Sequence, residues 1–309
     1  MKDLEGDTNE SLSNSTLNAS LSHSFDQTLR YNGSLSFAWQ PEPNYSNGIA
    51  NSRRDGDYIY VYVSSSLSKA WTTRYSTTVG ASYSMIDYQE DSAKTDNRQY
   101  FNLNLNNRYK WTERLALSIN WNGSYCDREY GNNEFSNFVM AGAEYAVAQN
   151  TSATLRVGPQ FKHVDNYGTK TYPSAEFGLN HRMSDRFSLG MFVRYSNEAT
   201  NTYVPQTGAS YYSNETWRVG LTSTMKVTHR VSLNAGVNLI SSDYSRPSSS
   251  STDTKTLTFN ATAGVKMMLT NVLALTAQYS YTNGSYSGYN FPMPSYNRNV
   301  FSFGMNYSF

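Results

Sequence analysis

Cysteine occurs once, at Cys126. That excludes an intrachain disulfide and any cysteine-based metal cluster. Charge is sparse: Asp, Glu, Lys and Arg make up 16% of the chain, against about a quarter in ordinary soluble domains. There is no run of 18 apolar residues, so no transmembrane helix is expected. No glycine-rich loop follows a strand and opens a helix, which removes the usual signature of nucleotide binding. A net charge of +1 gives no global attraction for nucleic acid. His23, His163, His181 and His229 are scattered, so no metal site is expected. The opening Met1-Lys-Asp-Leu-Glu-Gly is acidic and polar and does not read as a signal peptide.

What is present contradicts disorder. Only 38% of residues are hydrophobic, but 15% are aromatic, including 26 Tyr, whereas disordered chains are poor in aromatics. A period-two alternation recurs along the chain. Leu29, Tyr31, Leu35, Phe37 and Trp39 form one set; Leu115, Leu117, Ile119 and Trp121 another; Phe187, Leu189, Met191, Val193 and Tyr195 a third. Between them lie Ser, Thr, Asn and Gly. Alternation of this kind places all large side chains on one face of a strand. Every such set falls on odd numbers, and fifteen strands can be counted between residue 14 and the end.

The connectors alternate in kind. One kind is short and self-similar: Phe25-Asp-Gln-Thr-Leu29, Trp71-Thr-Thr-Arg-Tyr75, Trp111-Thr-Glu-Arg-Leu115, Met183-Ser-Asp-Arg-Phe187, Val227-Thr-His-Arg-Val231 and Leu269-Thr-Asn-Val-Leu273, with 147–153 a looser copy. Three residues between two outward positions is a common hairpin loop, and its odd length preserves parity. The other connectors are polar and longer, near 41–57, 86–99, 126–135, 164–171, 196–211, 241–254 and 282–297. Short turns at one end and long loops at the other mark a transmembrane up-and-down antiparallel β-barrel with periplasmic turns. Fifteen strands are too many for a lipocalin-like barrel. The expected organisation is a polar extracellular loop or truncated N-terminal segment over 1–13 and one barrel domain over 14–309. Because single-chain barrels have even strand counts, a signal peptide and one further strand, the sixteenth, are expected upstream.

The last nine residues repeat the alternation in its strongest form. Phe301, Phe303, Met305, Tyr307 and Phe309 share one face, and the chain stops on an aromatic ring. This resembles the C-terminal strand of bacterial outer-membrane barrels, where those residues act as the assembly signal. With the repeated turns and polar loops, the chain from about residue 14 resembles the β-barrel porin family of Gram-negative outer membranes. The resemblance implies residence in the bacterial outer membrane, contact with its lipid, and recognition of the C-terminal strand by the barrel assembly machinery. A homotrimer is one assembly it allows. Some members of the family are associated with exopolysaccharide export.

If odd positions face lipid, even positions face the lumen. Fifteen Lys and Arg on or beside strands are even-numbered: Arg30, Arg74, Arg108, Lys110, Arg114, Arg156, Lys162, Arg182, Arg186, Arg194, Arg218, Lys226, Arg230, Lys266 and Arg298. The inward acids on strands are Glu144 and Glu176. A basic lumen concentrates anions, and rings of Arg and Lys select them. Arg156, Arg194 and Arg218 with Glu144 and Glu176 are expected to line the pore at mid-depth, as a constriction or an ion-pair network. Arg74, Arg114, Arg186 and Arg230 are expected to form a basic ring at the periplasmic mouth, where meeting lipid phosphate is the plainer role. The expected function is passive diffusion of small anionic solutes. Polysaccharide export, or a structural or adhesive barrel acting through its loops, are the alternatives. An outer-membrane phospholipase would need Ser, His and Asn together on the lipid face. The register inferred from 147 and 153 sets Asn137 against His163, but no outward Ser adjoins them, so no enzyme and no cofactor are expected.

Overall fold

The computed structural model describes residues 15–40, 58–89, 94, 97–129, 131–198, 203–204, 209–210, 213–245, 254–287 and 295–307. The strands are β1 (Ser15–Ser24), β2 (Leu29–Gln40), β3 (Tyr58–Ala70), β4 (Tyr75–Tyr88), β5 (Arg98–Lys110), β6 (Leu115–Arg128) and β7 (Glu134–Ala148). Then come β8 (Thr151–Val164), β9 (Gly168–Arg182), β10 (Phe187–Asn197), β11 (Tyr203–Val204), β12 (Ala209–Ser210) and β13 (Ser213–Lys226). Last are β14 (Val231–Ser245), β15 (Thr254–Met268), β16 (Leu273–Ser287) and β17 (Tyr296–Tyr307). Strands β11 and β12 form a separate two-stranded ribbon; the other fifteen make one antiparallel sheet in chain order. Its edges are β1 and β17, which both run from the loop end to the turn end. Residues 1–14 and Phe309 lie outside the described residues, as does the expectation of a sixteenth strand.

The turn repeat has a physical basis in its second residue. In six turns the side-chain oxygen of that residue accepts hydrogen bonds from the backbone N–H groups two and three positions on. The residues are Asp26, Thr72, Thr112, Ser184, Thr228 and Thr270. A short polar side chain is required for that geometry, which is why Asp, Ser or Thr recurs there. The hydroxyl of Thr28 and then the two N–H groups hold the Asp26 carboxyl below its ordinary range. In the looser turn a bulge between Ala146 and Ala148 shifts the register, and Asn150 instead donates to the carbonyl of Arg182.

Parity carries over into burial. Among the described residues the exposed large hydrophobic side chains are odd-numbered, with Phe192 and Val272 the exceptions. Glycines aside, the buried residues are even-numbered, with Asn197 and Ser213 the exceptions. The apolar exterior carries aromatic rows suited to membrane interfaces. Tyr83, Phe101, Tyr125, Phe135 and His163 stand opposite one another across β4 to β8. Phe301, Phe303 and Met305 of β17 are among the most exposed apolar side chains, 71%, 84% and 70%, because an edge strand has no outer neighbour.

Several connectors are shorter than the sequence suggests. The polar stretches near 86–99, 126–135, 241–254 and 282–297 are partly strand, and 164–171 shrinks to a tight turn at 165–167. Asn166 takes a positive φ of 70° there, a conformation Asn tolerates better than most residues. Polarity concealed these strand ends: Arg98, Arg128 and Glu134 point inward there, and Asp87, Asp127 and Asp243 occupy outward positions. The register of β7 and β8 also differs by two residues from expectation: His163 opposes Phe135, and Asn137 opposes Phe161, because the turn takes only residues 149–150 and a one-residue bulge follows at 146–148.

Two prolines interrupt the ladders. Along β7 and β8 the ladder lacks pairs between Phe138↔Gln160 and Ala141↔Val157, around Pro159, with the same register on both sides. Gly158 lies in that gap, where an added Cβ would collide with the Val139 carbonyl. Gly158→Ala is expected to destabilise the barrel by about 1–3 kcal/mol through overpacking, as read by urea unfolding in lipid vesicles.

Candidate functional site

The second proline, Pro173, matters more for the lumen. It sits directly across from Pro159 in the β8–β9 ladder and has no N–H to give. The β9–β10 ladder ends two residues short of it, at Ala175↔Tyr195. Asn197 of β10 therefore has no backbone partner on the β9 side, and a buried amide must pair somewhere. The side chain of Gln160, reaching across from β8, supplies that pairing. Asn197 N donates to Gln160 Oε1 at 2.9 Å, and Gln160 Nε2 donates to the Asn197 carbonyl at 2.6 Å. One carboxamide stands in for a strand.

The top of the β10–β13 hairpin is consequently drawn inward. Ser196, Asn197, Ser213 and Asn214 are all buried, so both faces of this hairpin end are covered. Elsewhere along the wall only the even face is. Lys162, 1% exposed, fastens the same point. Its ammonium meets Glu134 Oε2 at 3.0 Å, Asn197 Oδ1 at 2.9 Å and the Glu198 carbonyl at 2.7 Å, which uses all three donors. Arg128 pairs with the other oxygen of Glu134 at 2.8 Å. Arg218 grips the Glu198 carboxylate with Nε and Nη2, the Nε contact being 2.6 Å.

Below this packed end lies a cavity of about 760 Å³. Its wall runs from Tyr60 and Tyr62 on β3 round to Asn238 and Ile240 on β14, so the sheet is curled about it. On that wall the sequence-derived residues come together as one row. Arg156 opposes Glu176, Glu176 opposes Arg194, and Arg194 opposes Arg218 across β8, β9, β10 and β13. Glu176 serves two guanidinium groups, Arg156 at 3.3 Å and Arg194 at 3.7 Å. Glu144 is not part of the row; it pairs with Arg108 of β5 at 2.9 Å. Arg74, Arg114, Arg186 and Arg230 lie at the turns, exposed. Arg186 and Arg230 share a cleft with Lys226 and Lys266; Arg74 and Arg114 stand apart from it.

The lumen is therefore less uniformly basic than its residue count suggests. Glu134 and Glu198 add two acids to Glu144 and Glu176 at loop-end and mid depth, and most cations there have an acidic partner. Sequence reading missed Arg128, Glu134 and Glu198 because they sit in stretches polar enough to pass as loop. Their even numbers were the available signal.

Two kinds of ion pair are present, and they should differ in cost. Lys162→Met, which strips a buried carboxylate of one cation, is expected to cost roughly 3–5 kcal/mol. Arg108→Gln breaks a pair about one-third exposed and should cost under about 1 kcal/mol. Gln160→Leu should fall between, at about 1–3 kcal/mol in all for the Asn197 backbone groups left unpaired. Equilibrium unfolding of the three variants in vesicles gives the order directly.

Comparison with known proteins agrees with this architecture. No curated protein matches the chain. Among solved structures, the FrpB iron transporter of Neisseria meningitidis superposes in its F3-3 variant with a TM-score of 0.52 at 9% identity, covering 89% of this chain and 53% of that one. The F5-1 variant gives 0.53 at 9% identity, covering 91% and 54%. The likeness is one of fold, and the chain spans about half the length of those structures. A family model, the outer membrane protein beta-barrel domain, matches residues 153–309, just over half of the chain. From β8 to the terminal strand the alternating, turn-linked sheet is that domain, and the chain belongs to the outer membrane protein beta-barrel family, a protein of the bacterial outer membrane.

Proposed function

We propose that this barrel is a porin-like channel for passive diffusion of small anionic solutes. The observation that carries the reading is the cross-strand row Arg156–Glu176–Arg194–Arg218 on the wall of the lumenal cavity. Arg156 and Arg194 share one carboxylate, so the pair keeps a positive charge at mid-depth, and both side chains are a third or more exposed. A localised cation on a low-dielectric wall raises the local concentration of anions. The remaining inner face supports passage without strong retention. It is largely neutral, with Ser64 and Ser68 of β3, Asn102 and Asn104 of β5, and Asn120 and Asn122 of β6 pointing inward. The cations at the turns would draw anions toward the opposite mouth.

One feature favours a second reading, gated uptake of a larger ligand. The loop end is packed by buried side chains around the inward β10–β13 hairpin, which would have to move for a wide pore to open. The two readings separate in a planar bilayer. Under a KCl gradient the channel reading expects steady conductance with an anion-selective reversal potential. Arg156→Gln or Arg194→Gln should then lower the anion-to-cation permeability ratio roughly twofold or more. A folded barrel without conductance would reject the open channel.

A further inference from the structure

Within that channel reading, on which this inference rests, one carboxylate is out of place. Glu198 belongs to the connector beyond β10, not to the barrel wall. Its backbone is fixed from both sides: its N–H donates to the Asn214 carbonyl at 2.8 Å, and its own carbonyl accepts from Lys162. Its side chain nevertheless reaches down to the row and sits in the two-pronged grip of Arg218.

The row explains why a carboxylate is needed there. Arg194 and Arg218 are directly opposed across β10 and β13, and like charges in that position repel. Glu176 lies on the far side of Arg194 and is shared with Arg156. Without Glu198, three guanidinium groups would face one carboxylate. A planar fork meeting two carboxylate oxygens is the arrangement by which arginine recognises carboxylates in general. The two arginines differ in access. Arg218 is 7% exposed beneath Glu198, while Arg194 is 43% exposed, and both line the cavity.

We propose that Arg194 and Arg218 form a carboxylate-binding subsite for small organic anions, and that Glu198 is its resident occupant, held in place of a solute. An entering carboxylate meets Arg194 first and competes with Glu198 for the pair. Because Glu198 is tethered, its effective concentration at the site is high, so solutes bind weakly and leave readily, as a diffusion channel requires. Phe138 and Phe192 on the same wall offer apolar surface to the body of such an anion, and Asn102, Asn122 and Tyr62 offer neutral polar groups.

Glutarate, which ends in the same group as a glutamate side chain, is a suitable probe. Its binding to the purified full-length protein in detergent can be followed by titration calorimetry, with no current required. Glu198→Gln is expected to tighten glutarate binding by roughly tenfold or more, since the tethered competitor is lost. Adding Arg194→Gln to Glu198→Gln should abolish the gain. Should Glu198→Gln fail to fold, Glu198→Asp, which withdraws the carboxylate by one methylene, must tighten binding in the same direction. Unchanged affinity in the folded variant, or a gain that survives Arg194→Gln, overturns the subsite. The channel reading fails separately: glutarate binding without conductance would reject the channel and keep the site. Anion-selective conductance without any gain on removing Glu198 would do the reverse.

Discussion

In hydrocarbon an unpaired backbone N–H or C=O has no water to turn to, and each one left bare costs several kcal/mol. The rest of this structure follows from that constraint. Fifteen strands satisfy it by continuous antiparallel pairing in chain order. The turns satisfy it locally, through Asp, Ser or Thr oxygens that take up the N–H groups the hairpin bend leaves over. The two edges, β1 and β17, are where the membrane demands a further partner.

Where a proline removes a donor, the same constraint acts through side chains. Pro173 ends the β9–β10 ladder, and the carboxamide of Gln160 pairs with Asn197 instead. The hairpin end of β10 and β13 is then free to leave the wall and is bolted inside it. A rule of backbone chemistry thus shapes the lumen: packed at the loop end, hollow at mid-depth, open at the turns. The lumen's form and its charge arrangement share an origin, because Glu198 reaches Arg218 only through that displaced hairpin.

The ion pairs do different physical work according to depth. Deep ones such as Lys162–Glu134 trade a large desolvation cost for geometry, and their effect is to fix where the hairpin sits more than to add net stability. The exposed part of the row, Arg156, Glu176 and Arg194, contributes little to folding. Like charges facing each other at Arg194 and Arg218 are a cost that a purely structural wall would avoid.

The sequence by itself determined the strands, their parity and their outward faces. A period of two is a local property, and three-residue turns carry it from one hairpin to the next. Leu117, Ile119 and Trp121 could be assigned to the lipid face from spacing alone. The mid-depth arginines were also legible, because even numbering sets direction. Tertiary structure alone decided partners. That Arg156, Glu176, Arg194 and Arg218 share a row depends on the registers of β8 with β9, β9 with β10 and β10 with β13. That Gln160 of β8 replaces a strand depends on a contact across the intervening β9, and that Glu198 answers Arg218 depends on where the end of the β10–β13 hairpin sits. Hydrophobic alternation carries no information about which charged side chain meets which, since that is settled by curvature and by the backbone groups a proline leaves unpaired.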